Sequence, residues 1–121
     1  AEKIVHKSNI IFLGNGDIKS LDQAQTFSKK YNLDGVLIGR ACLGNPWLFS
    51  NTSPTMNVMK KTMLRHAELV MQFRPDLQLM PLRKHLAWYC KGFVGAAEIR
   101  NKLTKVTTIH DLQNILTSIS L

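Results

Sequence analysis

Two short apolar runs, each ending in a glycine turn, set the architecture open to this chain. Ile10-Ile11-Phe12-Leu13 leads into Gly14-Asn15-Gly16-Asp17, and Gly35-Val36-Leu37-Ile38 leads into Gly39-Arg40. Neither run alternates apolar with polar. Each therefore suits a strand buried on both faces, as in a parallel sheet. Between them Leu21, Ala24, Phe27 and Tyr31 recur at helical spacing. Ser20 is placed to cap that helix, Lys29 and Lys30 suit its negative end, and Asn32 can close it in a left-handed conformation. Strand, turn, helix, strand, turn is a parallel β–α–β unit with a right-handed crossover. Such units bind ligands at the carboxyl ends of their strands.

The two turns differ in what they offer. Gly14 and Gly16 flank Asn15. They let the backbone turn tightly and approach a ligand without a Cβ in the way; an ordinary strand-to-helix turn would use them too. Gly39-Arg40 adds a guanidinium, and backbone N–H groups beside a guanidinium suit a phosphate. A structural salt bridge is the alternative for Arg40, and the phosphate reading is the one adopted. In Asn45-Pro46-Trp47-Leu48-Phe49, Pro46 fits the first turn of a short helix that carries Trp47 and Phe49 inward, Trp47 as a core anchor.

Residues 50–55 (Ser-Asn-Thr-Ser-Pro-Thr) read as a linker, and helical periodicity follows it. Met59, Met63, Ala67 and Val70 form one stripe, opposite Lys61, Arg65, Glu68 and Gln72. Arg74-Pro75-Asp76 breaks that helix, and the next is expected from Pro81 to a cap at Gly92. Leu82, Leu86 and Tyr89 form its apolar stripe, with Lys84, Trp88 and Lys91 on a neighbouring face and Arg83 and His85 adjacent. Trp88 has two readings, as a core residue or as an aromatic surface among basic groups on which a nucleobase stacks. Ala96, Ile99, Leu103 and Val106 make a third stripe with Arg100, Lys102 and Lys105 outside it. Thr108 and Asp111 resemble a capping box before a last helix carrying Ile109, Leu112, Ile115, Leu116 and Ile119. Four helices with short joints imply a small bundle.

Charge divides at the linker. Of 16 Lys and Arg against 8 Asp and Glu, residues 1–54 hold a net +2 and residues 55–121 a net +6. The second part carries most of the attraction for a polyanion such as nucleic acid. Cys42 and Cys90 make neither a metal motif nor a disulfide framework, which fits a reducing cytoplasm. His6, His66, His85 and His110 are not at metal spacing. No apolar run approaches the roughly 20 residues of a membrane span, and Ala1 to Lys7 has no signal-peptide core. The sequence opens without Met directly before a strand, and a longer natural chain is expected.

Taken in order, Gly14-Asn15-Gly16-Asp17-Ile18, Asp34-Gly35-Val36-Leu37-Ile38-Gly39-Arg40-Ala41, Leu43-Gly44-Asn45-Pro46-Trp47-Leu48-Phe49, Arg83-Lys84-His85-Leu86-Ala87-Trp88-Tyr89, Lys91-Gly92 and Gly95-Ala96-Ala97-Glu98-Ile99-Arg100 resemble the C-terminal third of tRNA-dihydrouridine synthases. The resemblance covers about residues 9 to 105. It implies an α/β fold that is mostly helical in this chain. Residues 1–50 would be the last two strand–helix units of an FMN-binding TIM (β/α)8 barrel, and residues 51–121 a four-helix, bundle-like tRNA-binding domain. It implies reduction of the C5–C6 double bond of particular uridines in tRNA, with NADPH recharging the flavin. Asn15, Gly16, Asp17, Gly39 and Arg40 match positions at the flavin's phosphate end, with Asp17 meeting a ribityl hydroxyl or ordering the turn. Lys61, Arg65, Arg83, Lys84, Lys91 and Arg100 are the candidates for contact with tRNA.

The departures limit these expectations. Only two strands are present where the family's barrel has eight. The family's general acid is a cysteine on an earlier barrel loop, and neither Cys42 nor Cys90 stands there, so no catalytic residue is assigned. The chain alone is expected neither to reduce uridine nor to hold FMN tightly, and to self-associate through residues 9–39, whose strand edges lack partners. The rival reading is a stand-alone basic helical RNA-binding module without redox activity. Another FMN barrel enzyme is a third, disfavoured by the helical extension.

Overall fold

A computed structural model describes residues 9–119. The chain divides into two compact units, Ala1–Ser53 and Pro54–Leu121. Each is built from its own local sequence signals. His6 and the segment before Ser8 lie outside the described residues.

In the first unit β1 (Leu13–Asn15), α1 (Leu21–Tyr31) and β2 (Gly35–Leu37) form the β–α–β unit. The strands are parallel, with Leu13 opposite Gly35, Gly14 opposite Val36 and Asn15 opposite Leu37. Asp34 extends the pairing: its backbone N–H donates to the Phe12 carbonyl and its carboxylate accepts the Phe12 N–H at 2.7 Å. The Ser20 hydroxyl caps α1 by accepting the Gln23 N–H, and Asn32 closes the helix at φ 49°, both as expected. Two 3₁₀ turns follow, Arg40–Cys42 and Pro46–Ser50.

Burial departs from expectation here. The first apolar run is not buried on both faces: Ile10, Ile11 and Leu13 are more than half exposed, and β1 is only three residues long. Two strands and one helix cannot cover both faces of a sheet. Phe49 is also 59% exposed rather than inward. In that 3₁₀ turn Leu48 is the buried side chain and Trp47 is half-buried, because a turn of three residues puts 47, 48 and 49 on different faces.

The second unit has four α-helices among its described residues: α2 (Met56–Phe73), α3 (Arg83–Tyr89), α4 (Ala96–Leu103) and α5 (Ile109–Ser118). Helix α3 packs on α4, α2 on α5, and α4 on α5. The periodic stripes supply the core: Met59, Met63 and Ala67 from α2, Leu82 and Leu86 at α3, Ala96, Ile99 and Leu103 from α4, then Val106, Leu112, Leu116 and Ile119. Among the described residues, fourteen of the sixteen buried apolar side chains lie in this unit, so it holds the developed core. Thr108 and Asp111 form the reciprocal capping box. Hydrogen bonds from Thr107 and Thr108 hold the Asp111 carboxyl down at about 2. Thr55, read as linker, caps α2 by accepting the Val58 N–H.

Helix α3 starts and stops differently from its pattern. Met80–Leu82 is a 3₁₀ turn, and the helix ends at Tyr89, before Gly92 can act as its cap. The physical reason lies at Cys90. Its carbonyl accepts from Arg100 Nη1 at 2.8 Å, so a side chain terminates the helix from ten residues away. Gly92 and Gly95 then carry positive φ in the loop to α4.

Candidate functional site

The candidate site of the first unit lies at the carboxyl ends of β1 and β2. Asn15, Asp17, Ile18, Gly39 and Arg40 line a cavity of about 180 Å³. Parallel pairing in register brings Asn15 level with Leu37, so the two turns open on the same side. Gly39 faces open space where a side chain would begin. Gly14 and Gly16 face α1: a Cβ on Gly14 would clash with Leu33 and crowd Phe27, and one on Gly16 would crowd Phe27. They let the helix pack closely on the strand.

Asp17 and Arg40 meet directly. Arg40 Nη2 donates to Asp17 Oδ1 at 2.7 Å, and Asp17 adopts a left-handed backbone (φ 51°) that a short Asp tolerates. The salt bridge set aside for Arg40 in the sequence is therefore present. It does not exclude an anion. The side chains are 82% and 59% exposed, and exposed pairs contribute only ~0–1 kcal/mol. One nitrogen of the guanidinium is used in that pair, out of five N–H donors the group carries. The cavity is smaller than the ~300–1,000 Å³ that houses a whole cofactor. It fits a phosphate-sized group and not a complete flavin.

In the second unit the six basic candidates fall into two kinds. Lys61, Lys84 and Lys91 are exposed, and Arg65 is exposed while pairing with Glu68 at 3.3 Å. Arg83 and Arg100 hold the fold together: Arg83 Nε donates to the Val106 carbonyl at 2.7 Å, and Arg100 Nη1 to Cys90. All four Asp and Glu side chains among the described residues of this unit are engaged locally. Glu68, Asp76 and Glu98 pair with Arg65, Arg74 and Lys102, and Asp111 is in the capping box.

From the sequence His66 and His85 can be placed near RNA, but the sequence does not bring one group of rings together. His66 of α2 and His85, Trp88 and Tyr89 of α3 form a half-buried ring cluster. His85, Trp88 and Tyr89 share a face by helical spacing, which the sequence does show. That His66 joins them depends on how α2 meets α3. Cys90, by contrast, is inert packing: burial pushes its thiol up to about 11. Among the described residues no three His, Cys, Asp or Glu side chains come together as metal ligands, and no helix is long and apolar enough to cross a membrane.

With this geometry in view, the dihydrouridine synthase (Dus) family profile matches residues 2–120. The chain belongs to the dihydrouridine synthase family. It is similar to a probable tRNA-dihydrouridine synthase of Mycobacterium leprae, 39% identical over 86% of this chain and 30% of that protein. It is similar also to probable tRNA-dihydrouridine synthase 1 of Synechocystis (30% identical, 94% of this chain, 35% of that protein). A third relative is tRNA-dihydrouridine synthase B of Xanthomonas campestris (31% identical, 79% of this chain, 32% of that protein). The chain therefore spans about a third of the length of these relatives.

Proposed function

We propose that this chain is the C-terminal portion of a flavin-dependent tRNA-dihydrouridine synthase. Its first unit would hold the phosphate end of FMN, and its second would bind tRNA. The observation that carries this reading is the convergence of Asn15, Asp17, Gly39 and Arg40 at one end of a parallel strand pair, in a member of the Dus family. The flavin would supply reducing equivalents, drawn from NADPH, for the C5–C6 bond of uridine. The chain's own residues position rather than react. Arg40 anchors a phosphomonoester, Gly39 leaves room for it, and Asn15 offers a side-chain amide beside it. Lysines of the helical unit neutralise tRNA phosphates.

The exposed strand edges support membership of a (β/α)8 barrel. Apolar grooves flank the β–α–β unit on both sides, one lined by Phe12, Phe27, Tyr31 and Leu33, the other by Ala24, Val36, Ile38 and Phe49. Further strand–helix units would fill them, and the cytoplasm is the setting a tRNA substrate implies. In the chain on its own, these surfaces would drive self-association through residues 9–39. Light scattering should then show species larger than a monomer at high concentration; a strictly monomeric sample would contradict it.

Arg40 and Asp17 test the phosphate grip. FMN binding to this chain is expected to be weak, since the cavity holds one end of the molecule. Arg40→Ala should weaken it a further ~10- to 100-fold, the loss of charge-assisted hydrogen bonds of about 1.5–3 kcal/mol. Asp17→Asn should tighten it by releasing Arg40 and removing a like charge. Riboflavin, which lacks the phosphate, should respond to neither change. If the pair is only a structural bridge, both variants will leave FMN titrations unchanged. A stoichiometric yellow colour surviving gel filtration would contradict the expected weakness.

A further inference from the structure

The ring cluster of the second unit has no assigned role. The His66 and His85 ring centroids lie 5.9 Å apart, and the Trp88 indole meets His85 edge-on at 4.9 Å. The Tyr89 hydroxyl sits 3.5 Å from His66 Nδ1. All four residues are half-buried, so the rings are partly open to a partner. Lys84 stands one turn before Trp88 on the same helix, where residues four apart are neighbours.

The surrounding charges decide what such a pair of imidazoles can do. Beside their burial, His66 feels a charge on His85, and His85 feels the charge of Lys84. Both histidines are held below the ordinary range, with desolvation the largest cause for each. On α2, Arg65 and Glu68 are paired to each other. In the segment before α3, Arg74 and Asp76 are paired to each other. From α4, Arg100 is turned to the Cys90 carbonyl, and Glu98 is paired with Lys102. Among the described residues of this unit, no Asp or Glu side chain is left unengaged to stabilise an imidazolium. An anion brought by a partner would supply that missing charge.

We infer that His66 and His85 form a proton-accepting contact for RNA phosphates, with the open side of Trp88 next to it as a stacking surface for an unpaired base. The inference rests on the proposed tRNA-binding role of this unit. Aromatic rings beside cationic groups are the chemistry single-stranded RNA recognises. The sign follows from linkage. Bound phosphate raises the proton affinity of both imidazoles, so binding takes up protons. RNA affinity rises as pH falls toward the free-state values, and the gain disappears above the bound-state values.

The test is the salt dependence of tRNA binding by the full chain, measured at pH 8 and pH 5.5. Each imidazolium that meets a phosphate steepens the slope of log K against log salt by ~0.7–0.9. The wild-type slope should be steeper at pH 5.5 by roughly 0.7–1.8, and the slope of H66Q/H85Q should be the same at both pH values. A wild-type slope independent of pH, or an equal change in the double variant, overturns the inference while leaving tRNA binding intact. Absence of salt-sensitive tRNA binding at either pH would instead overturn the underlying functional reading. A second readout needs no histidine variant. In a Trp47→Phe background, Trp88 emission should be quenched as the neighbouring imidazole protonates. Added tRNA should move that midpoint to higher pH, and an unmoved midpoint contradicts the inference.

Discussion

Leu86→Ala should lower the melting temperature of the helical unit by on the order of 10–25 °C. Leu86 is fully buried at the centre of α3, a helix of seven residues. A helix that short has no independent stability in water. It exists because Leu82, Leu86 and Cys90 are buried on one face and because Arg83 and Arg100 tie its surroundings to backbone carbonyls. Truncating a buried Leu to Ala costs ~2–5 kcal/mol, lost transfer energy plus a residual cavity. A unit of this size has roughly 3–10 kcal/mol in total. The change therefore removes roughly a fifth or more of the stability, at ~4–8 °C per kcal/mol. Leu86→Met, which keeps the volume, should cost less than about 1.5 kcal/mol. Leu13→Ala, on the half-exposed β1, should barely register by comparison. Thermal melts followed by circular dichroism compare the three. Equal effects for Leu86 and Leu13 would show that the helical unit is not the cooperative core described above.

Replacing Lys61, Lys84 and Lys91 together with Ala should weaken tRNA binding on the order of 100-fold at 0.1 M salt, with the fold intact. Each lysine that meets a phosphate contributes ~0.7–0.9 to the slope of log K against log salt, so three contribute ~2–2.7. These side chains are exposed, and exposed substitutions usually change stability by less than ~0.5 kcal/mol each. Arg83 and Arg100 are poorer probes, because their removal leaves the Val106 and Cys90 carbonyls without partners and mixes stability with affinity. Filter binding across a salt series reads both affinity and slope. An unchanged slope in the triple variant would place the RNA-binding surface elsewhere.

What the sequence made legible was mostly local. Ser20, Asn32 and the Thr108–Asp111 box act within four residues of themselves, and each does what its side chain predicts. The α4 stripe is buried as its periodicity requires, and those of α2 and α5 are buried except at Val70, Ile109 and Ile115, which are partly exposed. What escaped was set by residues far apart in sequence. Arg83 reaches a carbonyl 23 residues on, and Arg100 one ten residues back, where it ends α3 ahead of Gly92. Asp17 and Arg40, also 23 apart, were both placed at the strand ends, but as separate contacts rather than a pair. The β1 run looked doubly buried because its composition is that of an interior strand. Its exposure here reflects the small number of strands and helices within reach, not the character of its residues.

Mapping two ligands on one isotope-labelled sample tests the central claim most directly. In amide spectra of the full chain, FMN should shift residues 15–17 and 39–42, and tRNA should shift residues in α2, α3 and the loop before α4. Each set should stay still when the other ligand is added. FMN shifts confined to the helical unit, or no tRNA shifts there, would contradict the division of labour proposed for this chain.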